Sequence, residues 1–144
     1  MKITVTGIPK AQPRAKAYIR GKHAGVYNPK TADDWKCNIR SAVMEQADGD
    51  LILGAVSLEI CFYFPRPKAH FGTGKNAGVL KQSSPIHHTA KPDLDNLTKA
   101  VKDAITDTGA VWRDDSQVSV SRTAKVYCHA NAPGALIVIT KVEP

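Results

Sequence analysis

Between positions 55 and 64 every second residue is apolar, at Val56, Leu58, Ile60, Phe62 and Phe64, and the run stops at Pro65-Arg66-Pro67. A repeat of two is the period of a strand with one buried face, and proline ends it because it brings no N–H to a ladder. So apolar a strand belongs at or near the centre of a sheet. Ile3 and Val5 indicate a second, short strand ending at Gly7, and the stretch after it, punctuated by Pro9 and Pro13, reads as a loop. Trp35, Ile39 and Val43 recur at helical spacing over residues 31–44, with Thr31 and Asp34 as a capping pair. Leu97, Val101, Ala104 and Ile105 trace another helical stripe from Leu94 onward, with Gly109 as its C-terminal cap. Residues 118–127 and 135–142 read as strands separated by Asn131-Ala132-Pro133-Gly134, which predicts a C-terminal β-hairpin. Together these elements predict an α+β fold with two main helices and a mixed sheet, Trp35 and Trp112 lying in its core.

A chain of 144 residues is long enough for one real core and too short for two, so residues 1–144 are expected to form a single domain. Cys37, Cys61 and Cys128 are far apart and form no CxxC pair, which suits a reducing compartment, and the last two sit where buried thiols are expected. The opening residues alternate instead of forming an apolar run, and no stretch is long enough to cross a bilayer. A cytoplasmic protein without a membrane partner is the expectation.

Net charge is +7, and its distribution is uneven. No acid precedes Asp33, and none lies between Ile60 and Pro92, whereas Asp93, Asp95, Asp103, Asp107, Asp114 and Asp115 follow in one short segment. Basic flanks around an acidic centre suit phosphodiester cleavage, because cationic side chains hold phosphates while carboxylates hold metal ions. The plainer explanation is an uneven solvated surface. Residues 68–90, within a basic loop at about 66–92, lack periodicity and are rich in glycine, serine and lysine. Gly72, Gly74 and Gly78 miss both the phosphate-loop and the dinucleotide spacing. His87-His88 are adjacent, a strained pair for tetrahedral zinc, and phosphate contacts suit them better.

Asp93 and Asp95 stand at the start of the second helix, where carboxylates also serve as caps. Lys99 lies one turn beyond Asp95 on the same face, placed for an ion pair with it or for a phosphate. Asp114 and Asp115 follow Trp112 in a turn, where aspartates are common for backbone reasons alone. As a set, Asp93, Asp95 and Asp115 would give Mg²⁺ or Mn²⁺ hard oxygen ligands and still leave room for water.

Lys91-Pro92-Asp93-Leu94-Asp95-Asn96-Leu97 with Lys99, followed by Trp112 and Asp114-Asp115-Ser116-Gln117-Val118, resembles the central motif of RusA-type Holliday-junction resolvases. The likeness extends to the region from Gly7 to Arg14, to Tyr27-Asn28-Pro29 and to Phe64-Pro65-Arg66-Pro67-Lys68. It implies a homodimeric, Mg²⁺-dependent endodeoxyribonuclease that cuts four-way DNA junctions. Asp93, Asp95 and Asp115 would be its metal-binding, catalytic carboxylates and Lys99 its functional lysine, with Asp114 a neighbour of the set. The loop over 68–90 departs from the shortest family members, resembles versions found in phages and prophages, and suits a DNA-contacting arm. Arg14, Lys16, Lys68, Lys75 and Lys91 are the candidate DNA contacts. Two other classes remain open: a non-catalytic, structure-selective DNA-binding protein whose aspartates only cap and turn the chain, and a nuclease for flaps or RNA.

Overall fold

The computed structural model describes residues 1–143. In chain order its elements are β1 (Lys2–Thr6), β2 (Lys16–Arg20), β3 (His23–Tyr27), α1 (Asp33–Gln46), β4 (Val56–Phe64), α2 (Leu94–Thr108), β5 (Val118–Tyr127) and β6 (Gly134–Lys141). Four strands form a mixed sheet in the order β1-β6-β4-β5, parallel between β4 and β5 and antiparallel elsewhere. The alternating run is interior, as its pattern predicts. Val56, Leu58, Ile60, Phe62 and Phe64 are all buried on the face that meets Ile39 and Val43 of α1 and Leu97, Val101 and Ile105 of α2. Burying each such side chain contributes about 1.5–3 kcal/mol before entropy is counted. Trp35 and Trp112 both lie in this core, and the Trp112 indole N–H donates to Thr106 Oγ1 at 2.7 Å. Gly109 caps α2 in the left-handed region, at φ 62°, where a side chain would be strained.

Three local expectations are corrected. The predicted C-terminal hairpin does not form: β5 and β6 flank β4 on opposite sides, because the most apolar strand takes the interior place and needs a partner on each edge. β4 and β5 run parallel, which requires a crossover, and α2 supplies it. The proline-punctuated segment is a loop only in part, since β2 and β3 make an antiparallel hairpin through Gly21 and Lys22. Thr31 and Asp34 do not cap α1, which begins after Ala32 without a side-chain cap. Asp34 is taken instead by Lys10, whose hydrogen bond holds its carboxyl below the usual range.

Residues 68–90 are not shapeless. Gly72 N–H donates to Val79 O at 2.9 Å and Lys81 N–H to His70 O at 2.9 Å, while Arg66 Nη1 donates to Pro85 O at 2.8 Å. The chain then runs along the outer edge of β5, where Tyr127 N–H donates to Ile86 O and His88 N–H to Lys125 O. Among the described residues, no helix is long and apolar enough to cross a membrane.

Candidate active site

The start of α2 is pinned from two directions. Lys125 on β5 donates from Nζ to the carbonyls of Ala90 and Pro92, both at 2.8 Å. Gln12 N–H donates to Asn96 O at 2.9 Å, which lays the segment leading to β2 across the first turn. Asp93 occupies the N-cap position with extended backbone, yet its side chain makes no capping hydrogen bond. Its main-chain carbonyl accepts from Leu97 N–H at 3.1 Å, so the helix begins properly without using the carboxylate. Asp95, exposed in the first turn, has no ion-pair partner among the described residues. The capping explanation therefore does not account for either carboxylate, and both face the positive end of the helix dipole.

Asp114 and Asp115 have separate roles. Asp114 accepts from Ser116 N–H at 2.9 Å and caps the short turn Asp115–Gln117, and its bonding to Ser116 holds its carboxyl below the usual range. Gln117 locks that turn by donating to Ile52 O and Gly54 O at 2.8 and 2.9 Å and accepting from Arg113 N–H at 2.8 Å. Asp115 is thereby left half-buried beside α2, where Lys102 Nζ approaches Oδ2 at 3.2 Å. Lys99 pairs with Asp103, one turn further on, at 3.8 Å and not with Asp95, one turn back. That contact is loose, and Lys99 remains 61% exposed.

Asp93 and Asp95 thus stand together on one turn of α2, while Asp115 reaches the same helix through Lys102. Among the described residues, no three histidine, cysteine or carboxylate groups converge into a closed ligand set. Asp93, Asp95 and Asp115 offer oxygen donors only, the donor type that hard divalent cations prefer, and Asp115 is paired with Lys102. The histidine pair offers nitrogen instead. His88 stacks on Phe64 at 4.2 Å between ring centroids, with a buried Nδ1 that has no partner among the described residues. Burial, and then the Lys125 charge, pushes this imidazole below its ordinary value. The expected phosphate contact is therefore corrected for His88, which packs against the sheet.

Arg14, Lys16, Lys68, Lys75 and Lys91 are all exposed, and none has a carboxylate partner among the described residues. Sequence reasoning overlooked Lys125, Gln12 and Lys102, and it named Gln117 without its bonds to Ile52 and Gly54. It also overlooked the β2–β3 hairpin, although two strand-like runs separated by Gly21-Lys22 are a hairpin signal.

The chain is an α+β domain with uncommitted carboxylates at a helix start and exposed cations without carboxylate partners among the described residues. Residues 6–140 match the family model of endodeoxyribonuclease RusA. The chain belongs to the RusA endodeoxyribonuclease family. It is also 30% identical to YqaN, an uncharacterised protein of Bacillus subtilis (strain 168), over 143 residues that cover 99% of this chain and 97% of that one.

Proposed function

We propose that this protein is a metal-dependent endodeoxyribonuclease that resolves four-way DNA junctions by paired cuts, acting in the cytoplasm as a homodimer in recombination and repair. The observation that carries the reading is the carboxylate of Asp93, which sits at an N-cap and does not cap. Asp93, Asp95 and Asp115 would hold Mg²⁺ or Mn²⁺, with Lys102 releasing Asp115 as it does so. The bound cation would supply an activated water and stabilise charge on the scissile phosphate and the departing 3′ oxygen. Lys99, leaving its loose contact with Asp103, neutralises charge on the same phosphate. Lys125 and Gln12 keep the first turn of α2 in place, so the carboxylates meet the strand without a search. Arg14, Lys16, Lys68, Lys75 and Lys91 contact phosphates and position the strand without reading its sequence. A junction has approximate two-fold symmetry, and a symmetric dimer would offer one site to each of two opposed strands.

The Lys102–Asp115 pair favours a second reading, a non-catalytic DNA-binding protein in which Asp115 serves only a structural ion pair. Incubating the protein with a labelled four-way junction, a linear duplex and a single strand, each with Mg²⁺ or EDTA, separates the two. Cutting confined to the junction with Mg²⁺ supports the nuclease, and binding without cutting supports the alternative.

A further inference from the structure

A cavity of about 510 Å³ lies between the 68–90 loop and the turn that follows β5. That volume falls within the range of small-ligand sites. Its walls are of two kinds. The lining combines the apolar Phe71, Leu80 and buried Cys128 with the polar Arg66, His129 and Asn131, and Gly78 adds no side chain to it. The guanidinium of Arg66 is fixed from several directions: Nη1 donates to Pro85 O at 2.8 Å, and Cζ lies 5.3 Å from the Tyr127 ring centroid. Its Nε is buried with no hydrogen-bond partner among the described residues, a donor whose desolvation nothing in the chain offsets.

The surroundings narrow the ligand. No acidic residue occurs between Ile60 and Pro92, and Lys68, Lys75 and Lys81 are carried by the same loop, so the field at the cavity favours a polyanion. A phosphate alone would leave the apolar wall bare, and a hydrocarbon would leave the polar groups of Arg66 and Asn131 in the lining without a partner. A nucleobase satisfies both, with a flat face for Phe71 and Leu80 and edge acceptors and donors for Arg66 and Asn131. The place is suitable too. Cys128 lies three residues along the β5 direction from Lys125, so about 10 Å separates the cavity wall from the residue that pins Pro92 beside Asp93. That is about three base steps in a stacked duplex strand, at ~3.4 Å each, and fewer where the strand is unstacked.

We propose that this cavity receives one unstacked nucleobase of the DNA strand being cut, a few nucleotides from the scissile phosphate. The inference rests on the nuclease reading and adds to it a grip on a single base. At a four-way junction the base pairs next to the crossover are the least costly to open, so such a pocket favours branched DNA over continuous duplex.

The test uses the full chain in Ca²⁺ with four-way junctions that carry 2-aminopurine at successive positions around the crossover. Junction binding is measured by mobility shift on the same samples. Gly78→Trp and Ala77→Phe each add bulk at the cavity lining; an added Cβ at Gly78 meets nothing, and melting curves check that both variants fold. The expected result is a fluorescence rise at one position with the parent protein, abolished in both variants, and junction affinity weakened about tenfold, the scale of one base stack removed. Junction binding with no rise at any position, or a rise that both variants keep, overturns the pocket and leaves the nuclease reading standing. Failure to bind the junction at all overturns both. Free dAMP or dCMP binding that Gly78→Trp abolishes, without any response from the labelled junction, overturns the strand assignment.

Discussion

Replacing Lys102 with methionine tests whether Asp115 is a carboxylate held in readiness for a cation. Lys102 Nζ lies 3.2 Å from Asp115 Oδ2, and the two side chains are 27% and 37% exposed. An ion pair in so wet a setting is worth about 0.2–1 kcal/mol, with the upper end fitting the shorter, partly sheltered geometry. Methionine keeps the apolar cover of the lysine stem, so packing is largely spared. Folding then loses up to about 1 kcal/mol, a fall in melting temperature of about 2–4 °C for a domain of this size. Metal binding moves in the opposite direction. A divalent cation at Asp115 no longer has to displace an ammonium group, and recovering about 1 kcal/mol tightens it about fivefold. The assay is a calorimetric Mn²⁺ titration together with the Mg²⁺ concentration that gives half-maximal junction cleavage. Lower stability combined with a lower metal midpoint is the predicted pairing. Lower stability with an unmoved midpoint would show that Asp115 does not ligate the metal and that the pair is structural.

Lys99→Ala should slow single-turnover cleavage far more than it weakens junction binding, because its contact with Asp103 is loose and one exposed phosphate contact adds little affinity. An unchanged rate would return Lys99 to the helix surface. Changing Arg14, Lys16, Lys68 and Lys75 to glutamine should weaken binding to every DNA shape and flatten its salt dependence by about 0.9 in log–log slope for each phosphate no longer neutralised; a parental slope would place the DNA path elsewhere. His88 has a folded-state pKa pushed down, first by burial and then by Lys125, so its neutral form is the one the fold favours. Its contribution is complete above about pH 6.5, the unfolded value, and is lost as pH falls from there through the folded value. Melting temperature should fall over that window, and His88→Phe, which preserves the stack on Phe64, should reduce the fall; the same pH dependence in the variant would refute this origin.

The elements legible in the sequence are those whose burial is one-sided and local. β4 and α2 each print their environment as a period, two in one case and three to four in the other, and the core stripes of Leu58 and Val101 follow directly. Strand neighbours are not written this way. The same alternation in β6 serves equally beside β5 or beside β4, and only the competition for an interior partner decides it, so the hairpin expectation failed there. The β2–β3 hairpin has no buried face to mark it, since Ile19 and Val26 are 82% and 70% exposed, and only its Gly21-Lys22 turn signals it in the sequence. The placement of Asp93 and Asp95 at a helix start and of Asp115 in a turn was legible, but their side-chain bonding was not. Whether an aspartate at a helix start caps depends on side-chain geometry that no residue spacing encodes. The Lys125 hold on Pro92 joins residues 33 apart, and it became visible only when β5 was paired with β4.

The central claim is that the uncommitted carboxylates at the start of α2 cut DNA, and Asp95→Asn tests it most directly. Asparagine keeps the size of the side chain and removes its charge, so the fold is spared while a hard-metal ligand is lost. The measurement is cleavage of a labelled four-way junction in Mg²⁺, with binding of the same junction in Ca²⁺ and the melting temperature recorded alongside. The account predicts parental melting, junction binding equal to or tighter than the parent's, and no cutting. Cutting at the parental rate would contradict it and remove Asp95 from the site.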